Sequence, residues 1–306
     1  MIINKTGIRR SGIVLLLFAA CFIYSCKDPI PAPTPTAPAT FVTDPERFAI
    51  EPEVIDEASG LTASINFAGY LWTLQDSQSP ASLYLISPDG KKIKEYPVPD
   101  AENRDWEDLT CGPGPENGRS YLYIGDIGNN NMPLSEVCTI YRLPEINDIN
   151  GSFISDQIKK IQFKYPDGVR DAETLLLDPV TKDIFVISKE MSQAGIYRLA
   201  YPQSTSEIIT AEKVGVIPSM TMATSGSISS DGTEIMVRNY ISVFYWKKRQ
   251  EQTVSETISK NYISLLSIVL EPQGEGICFD RQGTGFYTFS ERGGAAAVTL
   301  NYYKRN

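Results

Sequence analysis

The 306-residue chain contains no histidine. That absence removes imidazole as a catalytic base, and with it the Ser-His-Asp and Cys-His arrangements, and it removes the commonest zinc ligand. Any catalysis must run on carboxylates, lysine, tyrosine, water or an oxygen-loving metal. Cysteine is scarce too: five residues, of which Cys21 and Cys26 fall near the start. Cys111, Cys138 and Cys278 remain, an odd number, so at least one thiol stays free. Positive charge is also short, at 28 Lys and Arg against 37 Asp and Glu. A protein this acidic has no basic face with which to neutralise phosphates, which excludes nucleic acid as a partner.

What is present begins with an export pattern. Residues 1–25 carry Lys5, Arg9 and Arg10, then an apolar run from Gly12 to Tyr24 that is short for a membrane span. Ile23-Tyr24-Ser25-Cys26 resembles a lipobox, which implies lipidation at Cys26 and a chain tied to a membrane by its N-terminus. Loss of the three basic residues with the signal leaves 25 Lys and Arg against 37 Asp and Glu, a net charge of −12. Residues 26–45 follow, with Pro29, Pro31, Pro33, Pro35 and Pro38 among them, a composition that forms an extended tether rather than a core. Residues 46–306 read as one domain.

That domain is organised by a repeated phrase. Asp105-Trp106-Glu107-Asp108-Leu109 returns as Asp171-Ala172-Glu173-Thr174-Leu175, and more weakly from Glu57, Thr224 and Gln273. Spacings of 48, 66, 53 and 49 residues separate Leu61, Leu109, Leu175, Ile228 and Ile277. A period near 50 residues, with Asp/Gly hairpin loops between short apolar runs, is that of a β-propeller blade. The expected fold is therefore all-β: a propeller of five four-stranded blades, with six as the alternative if the 66-residue unit hides another. The last repeat has material for three strands only, so the segment from Arg47 to Ile55 is expected to supply its outer strand and close the ring. In this fold Cys111 and Cys138 lie at opposite ends of antiparallel strands, and buried free thiols are expected rather than a bridge.

Propeller geometry gathers the repeated acids. Inner strands line a central channel, and residues two apart on a strand share a face. The starts of the inner strands carry Glu57, Asp105, Glu107, Asp171, Glu173 and Glu275; the ends of the second strands carry Asp76, Asp126, Lys189, Glu190 and Glu291. Both sets meet at one mouth. Like charges crowded together raise one another's pKa unless a cation compensates, and Lys189, Arg170, Arg238 and Arg292 are the basic residues placed to share that task. The expected metal ligands are Glu57, Asp105, Glu107, Asp171, Glu173 and Glu275, and the expected ligand-binding residues are Asp126, Lys189, Glu190, Arg238 and Glu291. Calcium, which takes six to eight oxygens in a flexible shell, is the cation that suits such donors. Acids that bond only to water and neighbouring backbone are the alternative. The three tryptophans, Trp72, Trp106 and Trp246, are read as fillers between blades rather than as a sugar-stacking surface.

Asp105-Trp106-Glu107-Asp108, Tyr123-Ile124-Gly125-Asp126-Ile127-Gly128-Asn129-Asn130 and Asp171-Ala172-Glu173 together resemble a group of exported bacterial β-propeller lipoproteins with the phrases DWEDL, YxGDIGDN and DAExL. More distantly, Glu275-Gly276-Ile277 is similar to the gluconolactonase/SMP-30-like, SdiA-regulated and phytase-like propellers. In the gluconolactonase-like enzymes a glutamate placed like Glu275 helps to hold a divalent ion. Two functions follow as expectations. One is an envelope-anchored monomer, at the outer membrane, that binds a small molecule, glycan or envelope protein at a calcium-bearing mouth. The other is a metal-dependent hydrolase of a lactone, ester or phosphoester, with Glu107 or Glu173 as catalytic base. The architecture alone does not choose between them.

Overall fold

A computed structural model describes residues 1–2, 39–130 and 134–306. The lipobox, Cys26 and the proline-rich run up to Pro38 lie outside the described residues, as do Asn131 to Pro133.

Five antiparallel sheets of near-equal build follow one another along the chain. The first blade is β2 (Ala58–Ala63), β3 (Leu71–Gln75), β4 (Ser82–Ile86) and β5 (Ile93–Pro97). The second is β6 (Trp106–Pro113), β7 (Ser120–Asp126), β8 (Cys138–Pro144) and β9 (Lys159–Lys164). The third is β10 (Ala172–Leu177), β11 (Ile184–Ser188), β12 (Ala194–Leu199) and β14 (Glu212–Ile217). Between the last two runs β13 (Ile209–Thr210) joins the outer edge of the second blade, parallel to β9. The fourth blade is β15 (Ala223–Ile228), β16 (Glu234–Asn239), β17 (Val243–Lys247) and β18 (Ser264–Leu266), with the one-turn helix α1 (Val254–Ile258) in its outer connection. The fifth is β19 (Gln273–Phe279), β20 (Gly285–Glu291), β21 (Thr299–Lys304) and, outermost, β1 (Glu46–Ala49).

The ring is thus five-bladed and is closed by the N-terminal strand, whose Glu46 to Ala49 pair with Tyr302 to Thr299. A sixth blade is not formed: the long second repeat is filled by the loops beyond β7 and β8. Closure runs further toward the N-terminus, because Val42 donates to the Lys304 carbonyl and Phe41 packs edge-on against Phe286 at 4.9 Å between ring centres.

Apolar residues lie between neighbouring blades. Trp72, Leu74 and Leu85 of the first blade meet Trp106, Leu122 and Tyr141 of the second; Leu176 and Ile187 of the third meet Val237 and Trp246 of the fourth. All three tryptophans are buried, so none offers a stacking face to a ligand. Cys111, Cys138 and Cys278 are buried free thiols.

Hairpins close the inner pairs by side-chain turns. Asp178 accepts from Val180 N at 2.8 Å, and Asp280 from Thr284 N at 2.8 Å. Aspartate suits this place because its short carboxylate reaches backbone N–H groups two to four residues on.

Each inner strand carries a bulge one or two residues from its start. The unpaired residue is Gly60 in β2, Glu107 in β6, Glu173 in β10, Thr224 in β15 and Glu275 in β19. A bulge inserts one residue and re-aims it. Gly60 has φ +70°, and a Cβ there would come within 2.8 Å of Asp108 Cα, so the first blade needs glycine where the others carry a side chain.

Candidate metal centre

The inner-strand acids gather where the channel opens. Asp76, at the end of β3, and Asp105 and Glu107, at the start of β6, have carboxylate oxygens all within 4.8 Å of one another. Glu107 is buried, and burial first, then the charges of Glu173, Asp76, Asp105 and Glu275, push its pKa well above the ordinary carboxylate range. Asp105 is raised to about 6, mainly by burial and then by Asp76, with Arg104 opposing. Asp76 is raised chiefly by burial, against the backbone N–H of Ser77.

The third blade adds Glu173. One of its oxygens accepts from the Lys189 ammonium, and the other is buried with no partner among the described residues. Burial alone would lower the Lys189 pKa; the Glu173 carboxylate more than offsets this and keeps the ammonium protonated. Lys189 also sits over the Tyr240 ring, 5.2 Å from its centre. From the fifth blade, Glu275 accepts from Gln273 Nε2 at 3.1 Å and bonds to Glu291. Two carboxyls bonded to each other need a proton between them, and Glu291 is pushed up to about 10 by burial and then by Glu275.

The remaining sequence-expected residues fall around this group. Asp126 is buried and raised to about 6, chiefly by burial; it holds Arg104 at 3.3 Å and accepts from Asp105 N at 3.1 Å. Asp171 accepts from Asn129 N at 2.8 Å. Glu57 is exposed on the rim, where its charge still acts on Asp76 and Glu291. Glu190 is half-buried in an ion pair with Arg170 at 3.2 Å, and Arg292 pairs with Asp56 at 3.4 Å. The rim cations are therefore occupied by rim acids.

Arg238 is not brought to the group. It is fully buried between the fourth and fifth blades, where it donates to Glu271 at 2.6 Å and to the Gly276 carbonyl at 3.0 Å. It lies one residue before the end of β16, and strand alternation turns it to the blade interface.

Two residues have roles not assigned from the sequence. Asp76, expected at the mouth from its place at the end of a second strand, is not among the expected metal ligands, yet it joins Asp105 and Glu107. Asp108 is the other. It is fully buried and accepts from Leu109 N and Leu175 N, each at 2.9 Å, and from the Ser225 hydroxyl at 3.2 Å, joining the second, third and fourth blades. Burial still dominates and raises its pKa well above the usual range. The Gly125 to Asn130 phrase also gains a reason. A Cβ on Gly128 would strike the Asp105 carboxyl carbon at 2.6 Å, so only glycine lets this loop lie against the acids. Asn129 spends its amide on Ser135, 2.8 Å each way, and not on the cluster.

The fold and this ring of carboxylates define a five-bladed β-propeller with an acid-lined channel mouth. No protein-family model and no curated protein matches the chain. Among solved structures it is similar to a luciferin-regenerating enzyme (12% identity, 86% of this chain and 95% of that one, TM-score 0.48). It is similar also to a chain of a nidogen/laminin complex (9%, 82% and 84%, TM-score 0.46) and to the propeller of Dos1 (13%, 81% and 68%, TM-score 0.37).

Proposed function

We propose that the acidic mouth holds a calcium ion and that the protein, anchored in the cell envelope through a lipid on Cys26, binds a ligand or partner there. The observation that carries this reading is the set of carboxylate oxygens of Asp76, Asp105 and Glu107 within 4.8 Å of one another, beside the unpartnered buried oxygen of Glu173. The donors are all hard oxygens, with no imidazole or thiolate among them, which fits calcium and does not fit zinc. Asp105, Asp76, Glu107 and Glu173 would hold the ion, with Glu275 and Asp171 next to them. Bound calcium would supply the positive charge that these acids lack and offer open positions to an oxygen-bearing small molecule, glycan or protein side chain. Lys189, Tyr240, Glu190 and Glu291 stand around the opening to orient it.

The test is a thermal melt and a calorimetric titration of the full-length protein with calcium and with chelator. A ligand that binds only the native state raises the midpoint by mass action. Saturable binding with a raised midpoint supports the reading, and no shift at about 1 mM calcium, a level that fills even weak extracellular sites, would sink it. Cys26→Ser tests the anchor: the protein should lose its lipid, read by mass spectrometry, and leave the membrane fraction.

The unpartnered oxygen of Glu173 also favours a second reading, a metal-dependent hydrolase in which this carboxylate takes a proton from metal-bound water. Lactone, ester or phosphoester turnover that requires calcium and falls at least roughly 100-fold in Glu173→Gln would select it. Absence of turnover with any divalent ion would remove it.

A further inference from the structure

The other end of the channel is a second pocket of opposite character. It is walled by the hairpins that join first to second strands, and all five blades contribute: Ile65, Gly112 with Glu116 and Arg119, Lys182, Ser229, and Arg281. Its volume is about 440 Å³, within the range of small-molecule sites. Three cations line it, Arg119, Lys182 and Arg281, against one acid, Glu116. Glu116 is already taken by Arg119 at 3.1 Å and the Tyr121 hydroxyl at 3.0 Å.

Arg281 and Lys182 are left without a carboxylate partner among the described residues. Arg281 crosses from the fifth blade to donate to the Cys111 carbonyl at 3.3 Å, and Lys182 donates to the Gly114 carbonyl at 2.9 Å. Both acceptors are neutral, and Lys182 lies over the Tyr201 ring, 5.2 Å from its centre, so neither cation meets a carboxylate among the described residues. The Arg281 Nε–H is buried and finds no acceptor among the described residues, so the protein leaves this guanidinium incompletely satisfied. Burial pushes the Cys111 thiol up, so it adds no negative charge. Leu177 and Ile228 supply an apolar wall beside Ile65. In a chain with a net charge of −9, two cations without a carboxylate partner among the described residues, beside an apolar wall at this end of the ring, mark a place for an anion with an apolar body.

We propose that this lower mouth binds a small organic anion, with its carboxylate or phosphate head on Arg281 and Lys182 and its apolar body against Ile65, Leu177 and Ile228. This site is independent of the acidic mouth and should work in the presence of a calcium chelator.

The experiment is calorimetric titration of the full-length protein, in chelator, with hexanoate, phenyl phosphate, inorganic phosphate and hexylammonium. Hexanoate or phenyl phosphate should bind saturably, and the tighter of the two identifies the head group. Inorganic phosphate should bind roughly tenfold more weakly for want of the apolar contact, and hexylammonium should not bind. Arg281→Gln should weaken binding at least roughly tenfold, Lys182→Gln several-fold, and Arg281→Lys should restore part of the loss. If Arg281→Gln does not fold, Lys182→Gln, on the turn between β10 and β11, carries the test alone. Absence of saturable binding by both organic anions, or binding unchanged in Lys182→Gln, overturns the proposal.

Discussion

The two mouths of one channel differ in sign. The upper mouth crowds Asp76, Asp105, Glu107, Glu173, Glu275 and Glu291 around a single ammonium, Lys189. The lower mouth sets Arg281 and Lys182, with no carboxylate partner among the described residues, beside apolar side chains. Both are built from the same repeated element, a two-stranded inner hairpin whose open end faces one mouth and whose turn faces the other. The apolar contacts that stabilise the ring lie between blades, so the residues at either end of that hairpin are free of the core. Apart from the aspartates that close the turns, such as Asp178 and Asp280, their charge is not set by the packing between blades, and sites are grafted there. Asp108 lies between the mouths, one residue below Glu107 and three above Cys111, and ties three blades at the axis.

Separating the two ends by removing that tie should have the largest effect. Asp108→Ala leaves Leu175 N–H and Ser225 without their acceptor in a buried place and is expected to cost about 3 kcal/mol of stability, read from urea unfolding. Asp108→Asn keeps an acceptor oxygen and should cost less than half of that.

Removing charge from the upper mouth alone comes next. Glu107→Gln should lower calcium affinity by about 100-fold by calorimetry, since a direct ligand weighs more than an outer-shell partner. In chelator the same substitution should raise the melting midpoint, because it relieves repulsion among Asp76, Asp105 and Glu173. Hexanoate or phenyl phosphate binding at the lower mouth should be unchanged, and a parallel loss there would break the independence of the two ends.

Gly128→Ala should act more mildly, weakening calcium about tenfold by displacing Asp105 while leaving the five-bladed fold in place, checked by circular dichroism.

The smallest effect is one of pH. Asp105 and Asp126 are raised to about 6 in the folded protein, so between their unfolded value near 4 and about 6 the native state binds more protons than the unfolded state. Their stabilisation is complete below the unfolded value and lost as pH rises through about 6. In chelator the midpoint should therefore fall by a few degrees from pH 4 to pH 7. With calcium, which competes with those protons, it should rise over the same window.

Much of this was legible in the chain. The near-50-residue period, the Asp/Gly turns and the missing fourth strand at the C-terminus led to five blades closed by the N-terminal segment, because each depends on local pattern and counting. The fourth blade shows where the pattern misleads. Alignment on Ile228 puts Gly226 opposite Glu173, whereas the bulge puts Thr224 there. An inserted residue shifts the two-residue alternation, and no side-chain pattern records the shift. Arg238 misleads for a different reason: it stands one residue before the end of β16, and regular alternation turns it to the blade interface and Glu271.

The amino-acid sequence by itself determined the repeat, the blade count, the way the ring closes and the acids at the heads of the second, third and fifth inner strands. These follow from hydrogen-bonding geometry and hydrophobic alternation over a few neighbouring residues. Only the tertiary structure decided that Asp76 joins Asp105 and Glu107, that Glu271 takes Arg238 out of play, that Asp108 spans three blades, and that Arg281 and Lys182 line the opposite opening with no carboxylate partner among the described residues. Each of those depends on distances across the ring between residues tens to more than a hundred positions apart, set by how the blades pack and not by any one strand.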